Sequence, residues 1–397
     1  MIKSVKLGEI ARISSGGTPS RANPSYWNGN IPWVKTTQIQ NCVITPQDVD
    51  EWITEEGLKN SSAKMVPAGT IVLGMIGQGK TRGQVGYLSF DACTNQNAAT
   101  ITCNNECDSW FIYQYLLFNY ENIRALSNSS GQGNLNLGLV EIIPITLPPL
   151  SQQKKIANLL GTWDNAIEKT EALIAAKEKQ FEWLTSNLIN RAGHKRTSAS
   201  GLMTEVSKRN KNSTIERVLS VTNHSGFVLP EEQFERRVAS ANVSNYKIVE
   251  QGQYAYNPSR INVGSIARLD DWENGILSPM YVVFKLDTKK VCSDYFLHWL
   301  NSSEARQRIK NSAQGSVRET VSFKDLGAID IPLPAMDVQK DVTYKLNLAQ
   351  KEISLLKKTL EQYRSQKRGL MQKLLTGEWQ VGSSQHLSEE TYQEASA

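Results

Sequence analysis

The sequence contains no run of about 18 apolar residues, the length that a helix needs to cross a bilayer. Its first four residues, Met-Ile-Lys-Ser, do not open a secretory signal peptide. Both absences argue against a membrane protein and predict a cytoplasmic location. The chain has 397 residues, 40% of them hydrophobic, which is enough for two cores of ordinary size.

Cysteine and histidine are also scarce. The four histidines are scattered, and no serine-hydrolase, metalloprotease or methyl-donor motif accompanies them. Cys103 and Cys107 have the spacing of half a zinc site, but no second half follows. We therefore expect no metal site and no catalytic residues. The cysteines are odd in number and lack paired spacing, which predicts free thiols; they are Cys42, Cys93, Cys103, Cys107 and Cys292.

A net charge of +5 permits a polyanionic partner without requiring one. Lysine and arginine recur beside amides and hydroxyls in several polar loops, and these groups contact phosphates and base edges in nucleic-acid complexes. Any one such loop is more often a solvated turn. The loops are residues 14–21, 35–38, 77–82, 257–262 and 314–318.

The stretch from Ser151 to Asn190 predicts one long helix. Two prolines precede it, Ser151 is a candidate N-cap, and Gly193 marks its end. Apolar residues recur every seven positions, as in the seam of a coiled coil. They are Leu160, Ile167, Ile174, Phe181 and Leu188.

The same pattern returns 186 residues later, so residues 336–377 predict a second long helix in the same register. Lys177 and Lys367 place a charge in the seam of the first and second helix, either to extend toward solvent or to face a partner. Gln153 and Gln339 precede the two seams at the same offset. The second seam consists of Leu346, Ile353, Leu360 and Leu374.

The repeat extends beyond the helices. Residues 64–74 align with residues 247–257 at an offset of 183, which places Gly69 opposite Gly252. The near-constant offset predicts two copies of one unit, a mixed α/β (α+β) domain followed by a long helix. The predicted boundaries are 1–150 for the first domain, 151–190 for its helix, 191–213 for an exposed linker, 214–335 for the second domain, 336–377 for its helix and 378–397 for a disordered tail.

Residues Gly74 to Thr81 match the phosphate-binding pattern GxxxxGK[ST]. A nucleotide site of this kind needs a helix that begins directly after the Lys-Thr pair, because its N-terminal amides hold the phosphates. Residues 82–88 instead contain two glycines and then alternate like a strand. We therefore favour a loop in which Lys80 and Arg82 contact DNA, with a P-loop ATPase as an alternative.

Five strings, in this order, carry a resemblance to a known family: SSGGTPSR from Ser14, NIPWVKTTQI from Asn30, TNQNAA from Thr94, YNPSRINVGSIA from Tyr256 and SPMYVVFK from Ser278. PLSQQKKI and SFKDLGAIDIPLP stand at the two domain–helix junctions. Together with the duplicated helices, they make the whole chain resemble the specificity subunit of type I restriction-modification systems.

The resemblance implies two tandem target-recognition domains joined by two long antiparallel helices with pseudo-twofold symmetry. Each domain would read one half of a split site in double-stranded DNA, and the helices would set the gap. Two methyltransferase subunits and the endonuclease/translocase subunits would be partners. The chain itself would be non-catalytic and without cofactors, because S-adenosylmethionine, ATP and Mg²⁺ belong to those partners.

Within this resemblance, the polar loops supply the candidate DNA contacts. A coiled-coil scaffold whose globular domains bind protein instead of DNA is a further alternative. Turn formation is an equally good explanation for Gly17, Asn257 and Asn262. The candidates are Gly16, Gly17, Thr18, Lys35, Thr37, Gln38, Lys80, Arg82, Asn97, Gln132 and Asn134 in the first domain, and Arg236, Asn257, Arg260, Asn262, Met280, Gln314 and Arg318 in the second.

Overall fold

The computed structural model describes residues 2–77, 79–129, 133–190, 194–230, 243–314 and 320–382. The chain divides into two compact units. Unit 1 consists of Met1–Thr170 and Thr359–Ala397, and unit 2 consists of Glu171–Lys358. Both boundaries fall inside long helices, so each unit contains one domain and one half of each helix.

The strands of unit 1 form a five-stranded sheet in the order β2-β9-β6-β7-β4, a three-stranded sheet β5-β3-β8 and the pair β1-β10. Neighbours are antiparallel except β4 with β7 and β3 with β8. The strands are β1 (Lys3–Lys6), β2 (Ala11–Ser15), β3 (Trp27–Val34), β4 (Cys42–Ile44), β5 (Trp52–Ile53), β6 (Ile71–Gly74), β7 (Val85–Leu88), β8 (Cys93–Thr94), β9 (Ala98–Cys103) and β10 (Pro144–Leu147).

Residues 109–129 form two helices, which are separated at Asn119. The Asn119 side chain donates to the carbonyl of Tyr115 over 2.9 Å, a local bond that competes with helix continuation. The helices of this domain are α1 (Leu7–Ile10), α2 (Glu55–Lys59), α3 (Ser109–Phe118), α4 (Tyr120–Ser129) and α5 (Leu137–Glu141).

The first long helix, α6, spans Leu150–Ile189. It begins one residue earlier than expected, and Ser151 is not its N-cap but lies in the first turn. Main-chain hydrogen bonds explain the difference, because the carbonyl of Pro149 accepts from the amides of Gln152 and Gln153 over 2.8 and 3.0 Å. The predicted stop at Gly193 lies outside the described residues.

Unit 2 repeats the plan with a four-stranded antiparallel sheet in the order β12-β19-β16-β17 and the pairs β11-β20, β13-β14 and β15-β18. Its strands are β11 (Arg196–Ser198), β12 (Met203–Glu205), β13 (Ser220–Val221), β14 (Phe227–Val228), β15 (Lys247–Glu250), β16 (Tyr254–Tyr256), β17 (Ile266–Arg268), β18 (Asn274–Leu277), β19 (Val282–Leu286) and β20 (Asp330–Pro332). Its helices are α7 (Ser293–Asn301), α8 (Ser303–Gln314), α9 (Phe323–Gly327) and the second long helix, α10 (Met336–Leu375).

The linker assignment for residues 191–213 is wrong where β11 and β12 occur. β11 pairs with β20 and β12 pairs with β19, so residues 196–205 belong to the second domain. Strands of three residues are too short to show an alternating pattern, and the basic residue Arg196 is held by an ion pair of 2.7 Å to Glu304. The remaining tail beyond residue 382 lies outside the described residues.

The two long helices pack against each other in antiparallel orientation, because Asp164 pairs with Lys367 and Lys177 pairs with Glu352. Six of the predicted seam residues are buried, namely Leu160, Ile174, Leu346, Ile353, Leu360 and Leu374. Ile167, Phe181 and Leu188 are half-buried. No helix among the described residues combines the length and the apolar character of a membrane span.

The two seam lysines reach acidic partners on the opposite helix. Lys177 lies 2.8 Å from Glu352. The Lys367 side chain is only 13% exposed and pairs with Asp164, whose other carboxylate oxygen accepts from the amide of Gln114 over 2.7 Å. Because Gln114 belongs to α3 and is fully buried, this pair also ties the helices to the first domain.

The repeat detected in the sequence is present in atomic detail. Gly69 and Gly252 both adopt positive φ, 85° and 80°. The Gln153 side chain accepts from the amide of Asp108 over 2.8 Å and donates to the carbonyls of Pro148 and Glu106 over 2.8 and 3.3 Å. Gln339 makes the same bonds to the main chain around Cys292, Pro334 and Lys290. Each glutamine is 1% exposed and joins its domain to the start of its helix.

Each unit has a core that includes both its domain and its helix halves. In unit 1, Phe111 and Ile112 of α3 pack in one cluster with Leu160 of α6 and Leu374 of α10. In unit 2, Phe296 and Trp299 share a cluster with Leu346. Burial of such side chains contributes roughly 1.5–3 kcal/mol each, so domain and helices stabilise one another.

Candidate nucleic-acid interface

The described candidate residues on the loops that follow β2 and β6, precede β9 and precede α5 lie together at one end of the five-stranded sheet. Main-chain hydrogen bonds join these loops to one another. The amide of Gly17 donates to the carbonyl of Thr94 over 2.8 Å. The amide of Met75 donates to the carbonyl of Asn97, and the amide of Leu135 donates to the carbonyl of Met75, each over 2.9 Å. Loops that are far apart in the sequence therefore form one surface at the ends of β2, β6 and β9.

Gly16 and Gly17 are buried beneath this surface. A Cβ atom on Gly16 would lie 2.0 Å from the carbonyl oxygen of Thr94, so no larger residue fits there. The Gly17 carbonyl accepts from the indole of Trp33 over 2.8 Å. Close packing explains both glycines, and their DNA contact stays a prediction.

Lys35 already has two acidic partners. Its Nζ lies 3.0 Å from Asp50 and 3.4 Å from Glu51, and the hydrogen bond to Asp50 leads the interactions that raise the pKa of Lys35. Burial acts to raise the pKa of Glu51, but Arg21 and Lys35 outweigh it and hold that pKa below its usual value. This lysine is therefore a poorer phosphate ligand than an unpaired one. Gln38 bonds the Lys35 amide over 2.7 Å, while Thr37 is exposed.

The loop with the nucleotide-binding pattern is a hairpin connection between β6 and β7. Thr81 is followed by a turn at Gly83, with φ of 86°, and then by a strand. No helix begins in residues 81–88, directly after Lys80. This part of the chain therefore gives no support to a P-loop ATPase. Lys80 is exposed at the tip of the loop.

Arg82 holds this loop to the neighbouring one, because its guanidinium donates to the carbonyl of Gly133. Asn134 follows and is exposed. Thr18 is bonded to Gln96, beside the half-buried Asn97. Arg124 of α4, which the sequence did not single out, donates to Gly79 O over 2.6 Å and fixes the loop from below.

The candidates of unit 2 that fall on described residues lie at the corresponding end of its four-stranded sheet. Asn257 follows β16 and accepts from Ser259 N over 3.0 Å, which confirms its turn-forming role. Its amide lies 3.9 Å from the sulfur of Met280, which is 61% exposed before β19. Arg260 is exposed and Asn262 is half-buried, with its Oδ1 atom buried and unpaired.

The two sheet ends are built alike. In unit 2 the amide of Val321 donates to Pro258 O over 3.0 Å, where Leu135 and Met75 make the equivalent bond in unit 1. Four candidates, namely Gln132, Arg236, Arg318 and the side chain of Gln314, lie outside the described residues. The described residues contain no group of three or more His, Cys, Asp and Glu side chains suited to a metal ion, and all five cysteines are free thiols.

An exposed apolar stripe follows the N-terminal half of α10. Residues at spacings of four and eleven lie on one face of a helix, and here they are Tyr344, Leu348 and Leu355, with exposed fractions of 70%, 58% and 53%. Apolar surface of this kind marks protein-binding sites. The seven-residue pattern in the sequence marks only the face of α10 that packs against α6. The sequence analysis therefore did not identify the exposed apolar stripe.

Comparison with known proteins finds matches to a little under half of the chain. A family model for the type I restriction modification DNA specificity domain matches residues 2–177. The MjaIX specificity subunit of Methanocaldococcus jannaschii is 29% identical over 186 residues, 45% of this chain and 40% of that protein. The EcoR124I/EcoR124II specificity subunit of Escherichia coli is 25% identical over 187 residues, 45% of each. The match thus spans less than half the length of either relative.

The fold is similar over almost the whole chain to a solved structure. The S subunit of a type I restriction-modification system from M. genitalium superposes with a TM-score of 0.59 at 16% identity and covers 94% of this chain and 96% of that one. At this identity the likeness shows the fold alone. Residues 2–177 are thus similar to the type I restriction modification DNA specificity domain, and the chain shares its fold with a solved S subunit of such a system.

Proposed function

We propose that this chain is the non-catalytic DNA-recognition subunit of a type I restriction-modification complex, in which each unit reads one half of a split site. One observation carries the proposal: in both units, polar and basic loop residues gather at the same end of equivalent sheets. Hydrogen-bonding side chains on loops held by a rigid scaffold are suited to reading base edges. The cytoplasm is the corresponding location.

The two long helices would fix the gap between the half-sites. Each has 40 residues, so at 1.5 Å per residue each rises about 60 Å. One turn of DNA is about 34 Å long. A helix of this length is therefore long enough to hold two DNA-binding domains at least one turn of DNA apart. S-adenosylmethionine, ATP and Mg²⁺ would bind to companion subunits.

Adenine-methylation mapping tests this function directly. DNA from cells that carry this chain with its companion methyltransferase is compared with DNA from cells that lack the chain. We expect methylation at a motif of two short defined halves around a fixed undefined gap. A continuous motif, or the same methylation in both cells, would contradict the proposal.

We further propose that two methyltransferase subunits and the endonuclease/translocase subunits assemble on the helical part, and that the stripe formed by Tyr344, Leu348 and Leu355 is a methyltransferase contact. Burial of one leucine side chain contributes roughly 1.5–3 kcal/mol. A buried, unpaired carboxylate at the same position would oppose binding.

Leu348→Glu is therefore expected to weaken methyltransferase binding about tenfold or more, measured by titration of the purified subunits. Ile142→Glu is the matched control, because Ile142 is 48% exposed and belongs to unit 1, whereas the stripe belongs to unit 2. If Leu348→Glu and Ile142→Glu bound the methyltransferase with the same affinity, the stripe would not be a contact.

A further inference from the structure

A polar groove of about 820 Å³ lies in unit 2 between α8, residues 181–186 of α6, and the loop at residues 223–224. Amides and hydroxyls line most of it, among them Asn223, Asn301 and Ser186. Asn262 also lines it, so the groove continues into the sheet end that carries the candidate DNA contacts. These are the groups that bind a nucleic-acid backbone without reading its sequence.

The groove carries an excess of positive charge. Arg306 and Lys310 both line it, and at a spacing of four residues they lie on the same face of α8. Glu182 is the acidic side chain of the lining. Burial lowers the pKa of His298 at the groove wall, so its ring adds no charge at neutral pH. The two exposed cations therefore determine the sign of the potential.

These cations are available, unlike their neighbours. Within the described parts of the chain, neither the guanidinium of Arg306 nor the amine of Lys310 has a hydrogen-bond or ion-pair partner. On the same helix, Arg308 is bound to Glu304 over 2.7 Å. In unit 1, Arg124 stands 182 residues before Arg306, the offset that also relates Gln132 to Gln314, and is bonded to the main chain of the hairpin loop. At equivalent positions of the two copies, Arg124 therefore stabilises a loop, whereas the guanidinium of Arg306 is available to bind a ligand.

We propose that this groove binds the phosphodiester backbone of double-stranded DNA beside the half-site that unit 2 reads, with Arg306 and Lys310 each contacting a phosphate. The inference rests on the proposed function and deepens it, since it separates positioning residues from the base-reading loops. Neutralised phosphates release counterions, so each contact steepens the fall of affinity with salt. The contact is independent of sequence, and it strengthens binding to all DNA alike.

The test compares Arg306→Gln/Lys310→Gln with the wild-type chain, each assembled with its methyltransferase subunits. Binding to duplex DNA with and without the mapped site is measured over a range of salt concentrations. We expect the slope of log affinity against log salt to become shallower by about two, with an unchanged ratio between the two DNAs. Lys211→Gln/Lys289→Gln removes the same charge from exposed positions of unit 2 outside the groove, and it should leave the slope near the wild-type value.

Four outcomes would overturn the inference. A groove variant with the wild-type slope would show that no phosphate is bound there. An equal change in both variants would show a general charge effect, and loss of discrimination between the two DNAs would assign the residues to base reading. If the wild-type complex itself showed no salt-dependent DNA binding, the proposed function and the inference would both fail, which is distinct from failure of the groove variant alone.

Discussion

Exchange of residues 1–150 for the first domain of another specificity subunit is expected to change one half of the methylated site completely and to leave the other half unchanged. The physical reason lies at the junction. Gln153 bonds only main-chain atoms of the domain, at Glu106, Asp108 and Pro148, so a different domain with the same main-chain path satisfies it. The loops that carry the candidate base contacts are replaced as a set.

The readout for this exchange is methylation mapping of the chimera and of the wild-type chain in the same cells. Exchange of residues 195–335 is the reciprocal experiment and should alter the other half. The second boundary begins at 195 because β11 and β12 belong to the second domain. A chimera in which both halves changed together would contradict independent reading by the two units.

Gln153→Leu is expected to lower the free energy of unfolding by about 3 kcal/mol. The substitution leaves one amide and two carbonyls of the main chain without a partner, and an unsatisfied buried group costs about 1–3 kcal/mol. Leucine forms helices well and has a similar volume, so the loss comes from these bonds and not from helix propensity. Urea-induced unfolding measures the change.

Gln339→Leu should behave alike, because its bonds are the same within about 0.1 Å. Gln366→Leu is the matched control on an exposed face of α10, and a surface change of this kind stays within about 0.5 kcal/mol. If Gln153→Leu destabilised no more than this control, the junction would depend on apolar packing alone.

The sequence predicted the long helices well because a seven-residue apolar period is a regional signal, carried by residues such as Leu160 and Leu346. It also paired Gly69 with Gly252, since a positive φ requires the same residue in both copies. It missed β11, whose three residues are too few for a period. It also treated Gly16 as a surface residue, although the atoms that exclude a Cβ atom there come from Thr94, far along the chain.

The candidate interface was predicted as separate loops, but its arrangement required the structure. Lys35 and Lys80 look equivalent in the sequence, and only the three-dimensional positions of Asp50 and Glu51 show that the first is already paired. Likewise, nothing local distinguishes Arg306 from Arg308, which differ in the direction they face on one helix.

The composition of unit 1 from both ends of the chain has a consequence for the order of events during synthesis. Unit 2 is one continuous segment, Glu171–Lys358, and all of it has been translated before the final turns of α10 are made. The first domain emerges earlier, but Leu374 and Met371 of its core are translated last. Domains generally fold as they emerge, so the first domain is synthesised first but its core is completed last. A chain truncated before Met371 would therefore lack part of the core of unit 1.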